Sequence, residues 1–133
     1  MTKAVIDASA LIEVLIRPTP AADLRKRVLT STLYAPEVLW LEVLGVTSRM
    51  LRHGLVDGEQ ADRAIGWLIN APITESSHRP LVNRAWELRH SISPHDGAYV
   101  ALAEELDIPL ITCDAKLGGS NSHKAKIEVY PRS

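Results

Sequence analysis

Short apolar runs that alternate with segments of helical spacing constrain the fold of this chain more than any other sequence feature. Three runs, at 4–6, 109–112 and 127–130, are short and mainly apolar, and a weaker one covers 72–74. Strands that are buried on both faces of a parallel sheet have this character. Parallel strands need helical crossovers between them, so the pattern predicts an α/β domain with three layers and a central, mostly parallel sheet.

The segments between these runs carry apolar residues at helical spacing and end at residues that disfavour a helix, such as Pro18, Gly54 and Pro72. The predicted helices cover 8–16, 37–53, 57–70, 80–90 and 95–106. The Gly-Gly-Ser-Asn-Ser cluster at 118–122 predicts a loop before the last strand. The chain has 133 residues, which suits one domain over 1–133.

The composition excludes several classes of protein. No apolar run approaches the roughly 18 residues of a membrane span, and the first residues lack the layout of a signal peptide. We therefore expect a cytoplasmic protein with no membrane partner. The single cysteine, Cys113, excludes an internal disulfide and a cysteine-based zinc site, and it is expected to fill the core.

The net charge of −1 gives no overall basic field that would attract nucleic acid. Such a partner would need a local basic patch. The candidates, which can equally be solvated helix faces, are Arg25-Lys26-Arg27, Arg49 with Arg52, and the group Arg79, Arg84 and Arg89.

Four acidic residues stand at positions where they could meet. Asp7 follows the first strand directly, and Asp114 follows the strand at 109–112 with one residue between. Ligands of parallel sheets bind outside the carboxyl ends of the strands. Asp96 falls in the first turn of the helix predicted at 95–106, and Glu42 lies inside the apolar helix predicted at 37–53.

A purely structural interpretation exists for most of these acids. Asp7 and Asp96 could be helix N-terminal residues, and Asp114 could begin a turn. Glu42 is harder to explain in this way, because a buried carboxylate without a partner costs several kcal/mol. If the four carboxylates cluster, their repulsion implies a bound cation, and oxygen ligands suit Mg²⁺ or Mn²⁺. Such an ion can activate water for attack on a phosphodiester.

The sequence around the four acids resembles the PIN-domain family, and most closely its VapC-type toxins from toxin–antitoxin pairs. The matching stretches are DAS at Asp7, APEVLWLEV up to Glu42, HDGAYVALA around Asp96 and TCDAKL around Asp114. The resemblance covers almost the whole chain. It implies a five-stranded parallel sheet and a metal-dependent endoribonuclease that cleaves RNA and is neutralised by a VapB-type antitoxin.

The same resemblance assigns residues to the metal site. It implies that Asp7 and Asp96 are direct ligands, and that Glu42 and Asp114 bind through water or at a second metal position. Small hydroxyl residues that match Ser9 and Thr112 support the site in the family. Their chemistry agrees, because Ser9 can cap the helix after Asp7 and Thr112 can hydrogen-bond a carboxylate.

Lys116, two residues beyond Asp114, is the best-placed phosphate contact, although a solvated lysine after a turn is as good an interpretation. His95 adjoins Asp96, but neighbouring helix positions point in different directions, so we do not expect it to take part in catalysis. Family members usually form homodimers or hetero-oligomers with antitoxin. The apolar residues of segment 44–68, including Leu51, Leu55, Ile65, Trp67 and Leu68, are predicted to be mostly core and partly interface.

Two rival classes are weaker. A phosphoacceptor receiver domain needs paired acids after its first strand, where this chain has Ala8-Ser9. A non-catalytic PIN-like module for RNA binding or assembly is the more serious alternative, and the presence of all four acids argues against it.

Overall fold

The computed structural model describes residues 1–17 and 19–132 and contains five strands, all of them parallel. Pro18, the predicted stop after the first helix, lies outside the described residues. The sheet has the order β3-β2-β1-β4-β5. This confirms the predicted parallel sheet of about five strands. The strands are β1 (Thr2–Ile6), β2 (Ser31–Pro36), β3 (Ile73–Ser76), β4 (Leu110–Thr112) and β5 (Ile127–Val129).

Seven helices of the described chain flank the sheet, as the predicted three-layer architecture requires. They are α1 (Ala8–Ile16), α2 (Ala22–Leu29), α3 (Val38–Arg52), α4 (Gly58–Ile69), α5 (Val82–Glu87), α6 (Pro94–Leu106) and α7 (Ala115–Gly118). Helices α1, α3 and α4 pack against one another, while α5 packs on α6, which lies against β1, β2 and β4. No helix of the described part is long and apolar enough to cross a membrane.

Some elements differ from the sequence-based expectation. Strand β2 and helices α2 and α7 were not predicted individually. The helix predicted at 80–90 is instead a 3₁₀ turn (Arg79–Leu81) followed by α5, which ends at Glu87. Pro80 stands inside that turn, where its missing N–H is tolerated. The loop at 118–122 is confirmed except that Gly118 is the last residue of α7.

Strands β1 and β4 form the centre of the core and fix where the acids begin. Ala4, Val5 and Ile6 are fully buried, and Ile6 lies opposite Ile111 in the parallel ladder. The Asp7 N–H continues this pairing and donates to the Ile111 carbonyl at 3.2 Å. Parallel strands end at the same edge of a sheet, so the residues after β1 and those after β4 are neighbours. Cys113, at this edge, is a buried free thiol, as predicted.

Candidate active site

Asp7 is the most firmly held residue of the candidate site. Its side chain is 5% exposed and caps the N-terminus of α1, accepting a hydrogen bond from the Ala10 N–H at 3.0 Å. The same oxygen accepts from the Ser9 hydroxyl at 2.7 Å, and the other oxygen accepts from the Thr112 hydroxyl. Both carboxylate oxygens therefore have fixed donors, which sets the orientation of the group.

Ser9 and Thr112 join the ends of β1 and β4 as well as holding Asp7. The Ser9 hydroxyl accepts from the Cys113 N–H at 2.9 Å, the Thr112 hydroxyl accepts from the Asp114 N–H at 3.0 Å, and the two hydroxyl oxygens are 3.2 Å apart. The predicted bond from Thr112 to a carboxylate is present. The prediction that Ser9 caps α1 is wrong, because Asp7 is the cap and Ser9 lies inside the helix, where its hydroxyl turns back to the carboxylate.

Asp96 and Asp114 occupy helix starts, as the sequence predicts. Asp96 lies in the first turn of α6, where its N–H donates to the Ser93 side chain at 3.3 Å, so Ser93 is the capping residue. Asp114 caps α7 and accepts from the Lys116 N–H at 2.9 Å. Both carboxylates are only half-buried. A structural role at a helix start and a place beside Asp7 are thus compatible.

Glu42 has a partner that the sequence did not reveal. The Tyr99 hydroxyl donates to Glu42 Oε1 at 2.5 Å, and the Tyr99 side chain is 1% exposed. Glu42 itself is half-buried rather than enclosed, and its neighbour Leu41 is 70% exposed. One signal for Tyr99 exists in the sequence: it stands three residues after Asp96 and so shares the same face of α6.

The electrostatics of these groups tie the site together. Burial raises the pKa of the Asp7 carboxyl above its usual range despite the three hydrogen bonds, and the charge of Asp96 raises it further. Burial also raises the pKa of Asp96, with Asp114 as the next cause. Burial and the hydrogen bond to Glu42 raise the pKa of the Tyr99 hydroxyl, and the charges of Asp7 and Asp96 raise it further. Asp7 and Asp96 are thus each affected by a neighbouring carboxylate, and Tyr99 is affected by three of the four acids.

The chemistry of the cluster suits a hard divalent cation. All four acids offer carboxylate oxygens, and the mutual repulsion of Asp7, Asp96 and Asp114 is the property that a cation would relieve. Among the described residues, no three acidic, histidine or cysteine side chains are placed closely enough to hold a metal as they stand. The four-acid ligand set thus stays a prediction.

The basic candidates separate into two groups. Arg27 and Arg84 are engaged in ion pairs with Glu128 and Glu104, and Arg89 lies over Trp86. The others are exposed and form no ion pair within the described ranges; they are Arg25, Lys26, Arg49, Arg52, Arg79 and Lys116.

The side chains singled out in segment 44–68 lie partly at the surface. Leu68 is buried and Ile65 half-buried, whereas Leu51, Leu55 and Trp67 are 43%, 65% and 43% exposed. His95 is exposed, and its charge lowers the pKa of Asp96 slightly against the effect of burial.

Comparison with known proteins agrees with this geometry. The PIN domain family model matches residues 4–118, and the chain belongs to the PIN-domain family. Over 125 residues it is 34% identical to Ribonuclease VapC12 of Mycobacterium tuberculosis, covering 94% of this chain and 97% of that protein.

Two solved structures share the fold at low sequence identity. The Mycobacterium tuberculosis toxin VapC20, described as cleaving the sarcin-ricin loop, superimposes with a TM-score of 0.64 at 13% identity, covering 87% of this chain and 93% of that one. A toxin–antitoxin complex from Klebsiella pneumoniae gives 0.60 at 16% identity, with 85% and 88% covered.

Proposed function

We propose that this protein is a VapC-type toxin, a metal-dependent endoribonuclease that acts in the cytoplasm and is neutralised by a cognate antitoxin. The observation that carries the proposal is the fixed Asp7 carboxylate, held by Ser9 and Thr112 across the ends of β1 and β4. The charge of Asp96 raises the pKa of Asp7, and the charge of Asp114 raises the pKa of Asp96. Such a concentration of negative charge at the edge of a parallel sheet is what a cation site requires.

In this proposal the four acids have different roles in binding Mg²⁺ or Mn²⁺. Asp7 and Asp96 would bind the ion directly, and Glu42 and Asp114 through water or at a second ion. The bound ion would supply an activated water and neutralise charge on the leaving oxygen. Ser9 and Thr112 keep the Asp7 oxygens oriented. The hydrogen bond from Tyr99 to Oε1 of Glu42 restricts the rotation of that carboxylate and leaves Oε2 for the ion or its water.

The relatives support RNA as the substrate and an antitoxin as the partner. Ribonuclease VapC12 is similar over nearly the full chain, and the structural neighbours include a toxin described as cleaving the sarcin-ricin loop and a toxin–antitoxin complex. We assign the exposed Lys116 a phosphate contact, because it follows Asp114 within the same short helix. A homodimer or a toxin–antitoxin hetero-oligomer is the expected assembly.

Cleavage of a panel of structured RNAs by antitoxin-free protein tests the proposal, with Mg²⁺, with Mn²⁺ and with a chelator. We expect metal-stimulated cleavage that Asp7→Asn removes. Asp57→Asn is the matched control, because Asp57 also caps a helix, α4, with a hydrogen bond from the Gln60 N–H, yet lies outside the acid cluster.

Two results would contradict it. No metal-stimulated cleavage across the panel would favour the non-catalytic PIN-like RNA-binding or assembly module. Cleavage that survives Asp7→Asn at full rate would refute the assignment of the site.

A further inference from the structure

An apolar groove opens beside the acids and is not used by the mechanism above. It has a volume of about 330 Å³ and lies between α5 and the first turns of α3 and α6. Its walls include Val38, one helical turn before Glu42, together with Pro94 and His95, which directly precede Asp96. Glu42 and Asp96 do not line the groove, but each follows one of its wall residues within one helical turn along the chain.

Trp86 forms an exposed wall of this groove and is held in place from behind. Its side chain is 61% exposed. The Arg89 guanidinium lies 4.2 Å from the centroid of the indole and also donates to the Trp86 backbone carbonyl at 2.9 Å. Trp86 lines the groove, whereas Arg89 does not. The ring is thus preorganised as a stacking surface.

The segment around the groove is basic although the whole chain is not. Residues 78–95 contain three arginines and three histidines but a single carboxylate, Glu87. One arginine, Arg84, is neutralised by Glu104. The exposed Arg79 and Arg89 remain, with His78 and His95 in the groove wall. These two arginines offer phosphate contacts beside the groove, while the carboxylate of Asp96 follows the segment directly.

We propose that the groove binds one unpaired nucleobase of a single-stranded RNA, stacked on Trp86. A base has apolar faces and polar edges, which match the apolar walls, the imidazole of His95 and the Nδ1 of His78, whose Nε2 already accepts from the Val38 N–H at 2.9 Å. The volume is at the small end of ligand sites, which span roughly 300–1,000 Å³. This proposal rests on the proposed function, because it places the base beside the phosphate that the acids would receive.

Fluorescence anisotropy tests this with short labelled oligo(U) and oligo(A), and with a duplex of the same length. All variants carry Asp7→Asn, which prevents cleavage. Adding Trp86→Ala should weaken binding of the single strands by about 5- to 150-fold and leave the duplex nearly unchanged. Trp86→Phe should retain most of the affinity. Trp67→Ala is the matched control, an exposed tryptophan on α4, which packs mainly against α3 and α1.

Three results would overturn the groove as a base site. The first is unchanged single-strand affinity in Trp86→Ala, and the second is no measurable binding of single strands by the parent protein. The third is that Trp86→Ala weakens binding of the antitoxin but not of RNA, which would make the groove a protein-docking site. Circular dichroism establishes that each variant is folded.

Cleavage assays on protein with Asp7 intact separate this proposal from the nuclease proposal. Metal-stimulated cleavage with no dependence of binding on Trp86 refutes the groove alone. Trp86-dependent binding without any cleavage supports the groove and refutes the nuclease.

Discussion

Carboxylates have opposite effects on stability in two kinds of region of this molecule. At the carboxyl edge of the sheet, Asp7 and Asp96 have raised pKa values because burial and neighbouring carboxylates disfavour their charge. In the ion-paired regions, Glu128 and Glu104 have lowered pKa values because Arg27 and Arg84 donate to them. The charged carboxylates at the sheet edge therefore destabilise the fold when no cation is bound. The ion-paired carboxylates stabilise it.

The ion-paired regions connect distant elements through bidentate contacts. Arg27 on α2 donates to both oxygens of Glu128 on β5, at 2.9 and 3.1 Å, and also to the Thr2 and Ser31 hydroxyls. Arg84 on α5 donates to both oxygens of Glu104 on α6, at 2.7 and 3.1 Å. In the acid cluster, by contrast, the donors to Asp7 are hydroxyls and an amide, which carry no charge.

The largest effect on stability that we expect is a gain from metal at the acid cluster. An ion that binds only the native state stabilises it by about 2.7 kcal/mol at about 100 times its Kd. Thermal melts of the protein with Mn²⁺ and with a chelator should show this shift, and Asp7→Asn should reduce it sharply while Asp57→Asn keeps it. An equal shift in Asp7→Asn would mean that the ion binds elsewhere.

Removing the positively charged Arg27 side chain from its ion pair should lower the stability of the fold. Arg27→Met leaves Glu128, Thr2 and Ser31 without their shared donor, so we expect a loss of roughly 1–3 kcal/mol in the free energy of unfolding. Denaturant unfolding measures it, and Arg25→Met, at an exposed position of the same helix, is the control. If both variants are equally stable, the Arg27 contacts do not stabilise the fold.

A smaller effect is the pH dependence of stability without metal, which should differ in sign between the two regions. The folded pKa of Asp7 lies above its ordinary 3.8, so its contribution to stability falls as the pH rises from 3.8 through the folded value. The folded pKa of Glu128 lies below its ordinary 4.5, so its contribution is present above 4.5 and is lost as the pH falls through the folded value.

Unfolding of Asp7→Asn and Glu128→Gln between acidic and neutral pH, with a chelator present, measures these contributions. Relative to the unmodified protein, Asp7→Asn should gain stability as the pH rises, since asparagine still caps the helix and carries no charge. Glu128→Gln should lose it. The same pH trend in both variants would contradict the contrast between the regions.

The smallest change in stability is expected for Tyr99→Phe, which removes one hydrogen bond worth about 0.5–1.5 kcal/mol. Tyr130→Phe is a matched control, because the Tyr130 hydroxyl donates to Glu128 at 3.2 Å in the ion-paired region. Calorimetric titration with Mn²⁺ should show weaker binding by roughly 10-fold in Tyr99→Phe only. Equal affinity in the two variants would remove Tyr99 from the support of Glu42.

The sequence predicted the parts of the fold that follow from complete burial. Strands β1 and β4 are buried on both faces, so their apolar residues stand in continuous runs. Strand β2 begins with two polar residues, Ser31 and Thr32, and alternates between buried and half-buried positions, so it gave no such run. Helix α2 buries only Leu24 and Val28 and has no side-chain cap, which leaves little periodicity to detect.

The site was predictable in its acids but not in their partners. Asp7, Asp96 and Asp114 stand at element ends, and these positions follow from the order of strands and helices. The hydrogen bond from Tyr99 to Glu42 joins residues 57 positions apart, which no local pattern encodes. Ser9 and Asp7 are both good capping residues, so only the backbone geometry shows which of them closes α1.

The hydrogen bond between Thr112 and Asp7 also determines how early the candidate site can form during protein synthesis. The two residues are 105 positions apart in the chain, and β4, which carries Thr112, pairs directly with β1. Contacts of such long sequence separation form only after the intervening chain has been made and its loop closed. A nascent chain on the ribosome therefore holds Asp7 with its local donors Ser9 and Ala10 but without Thr112 until translation has passed β4. If the protein cleaves RNA, its site stays incomplete until nearly the whole chain has been made.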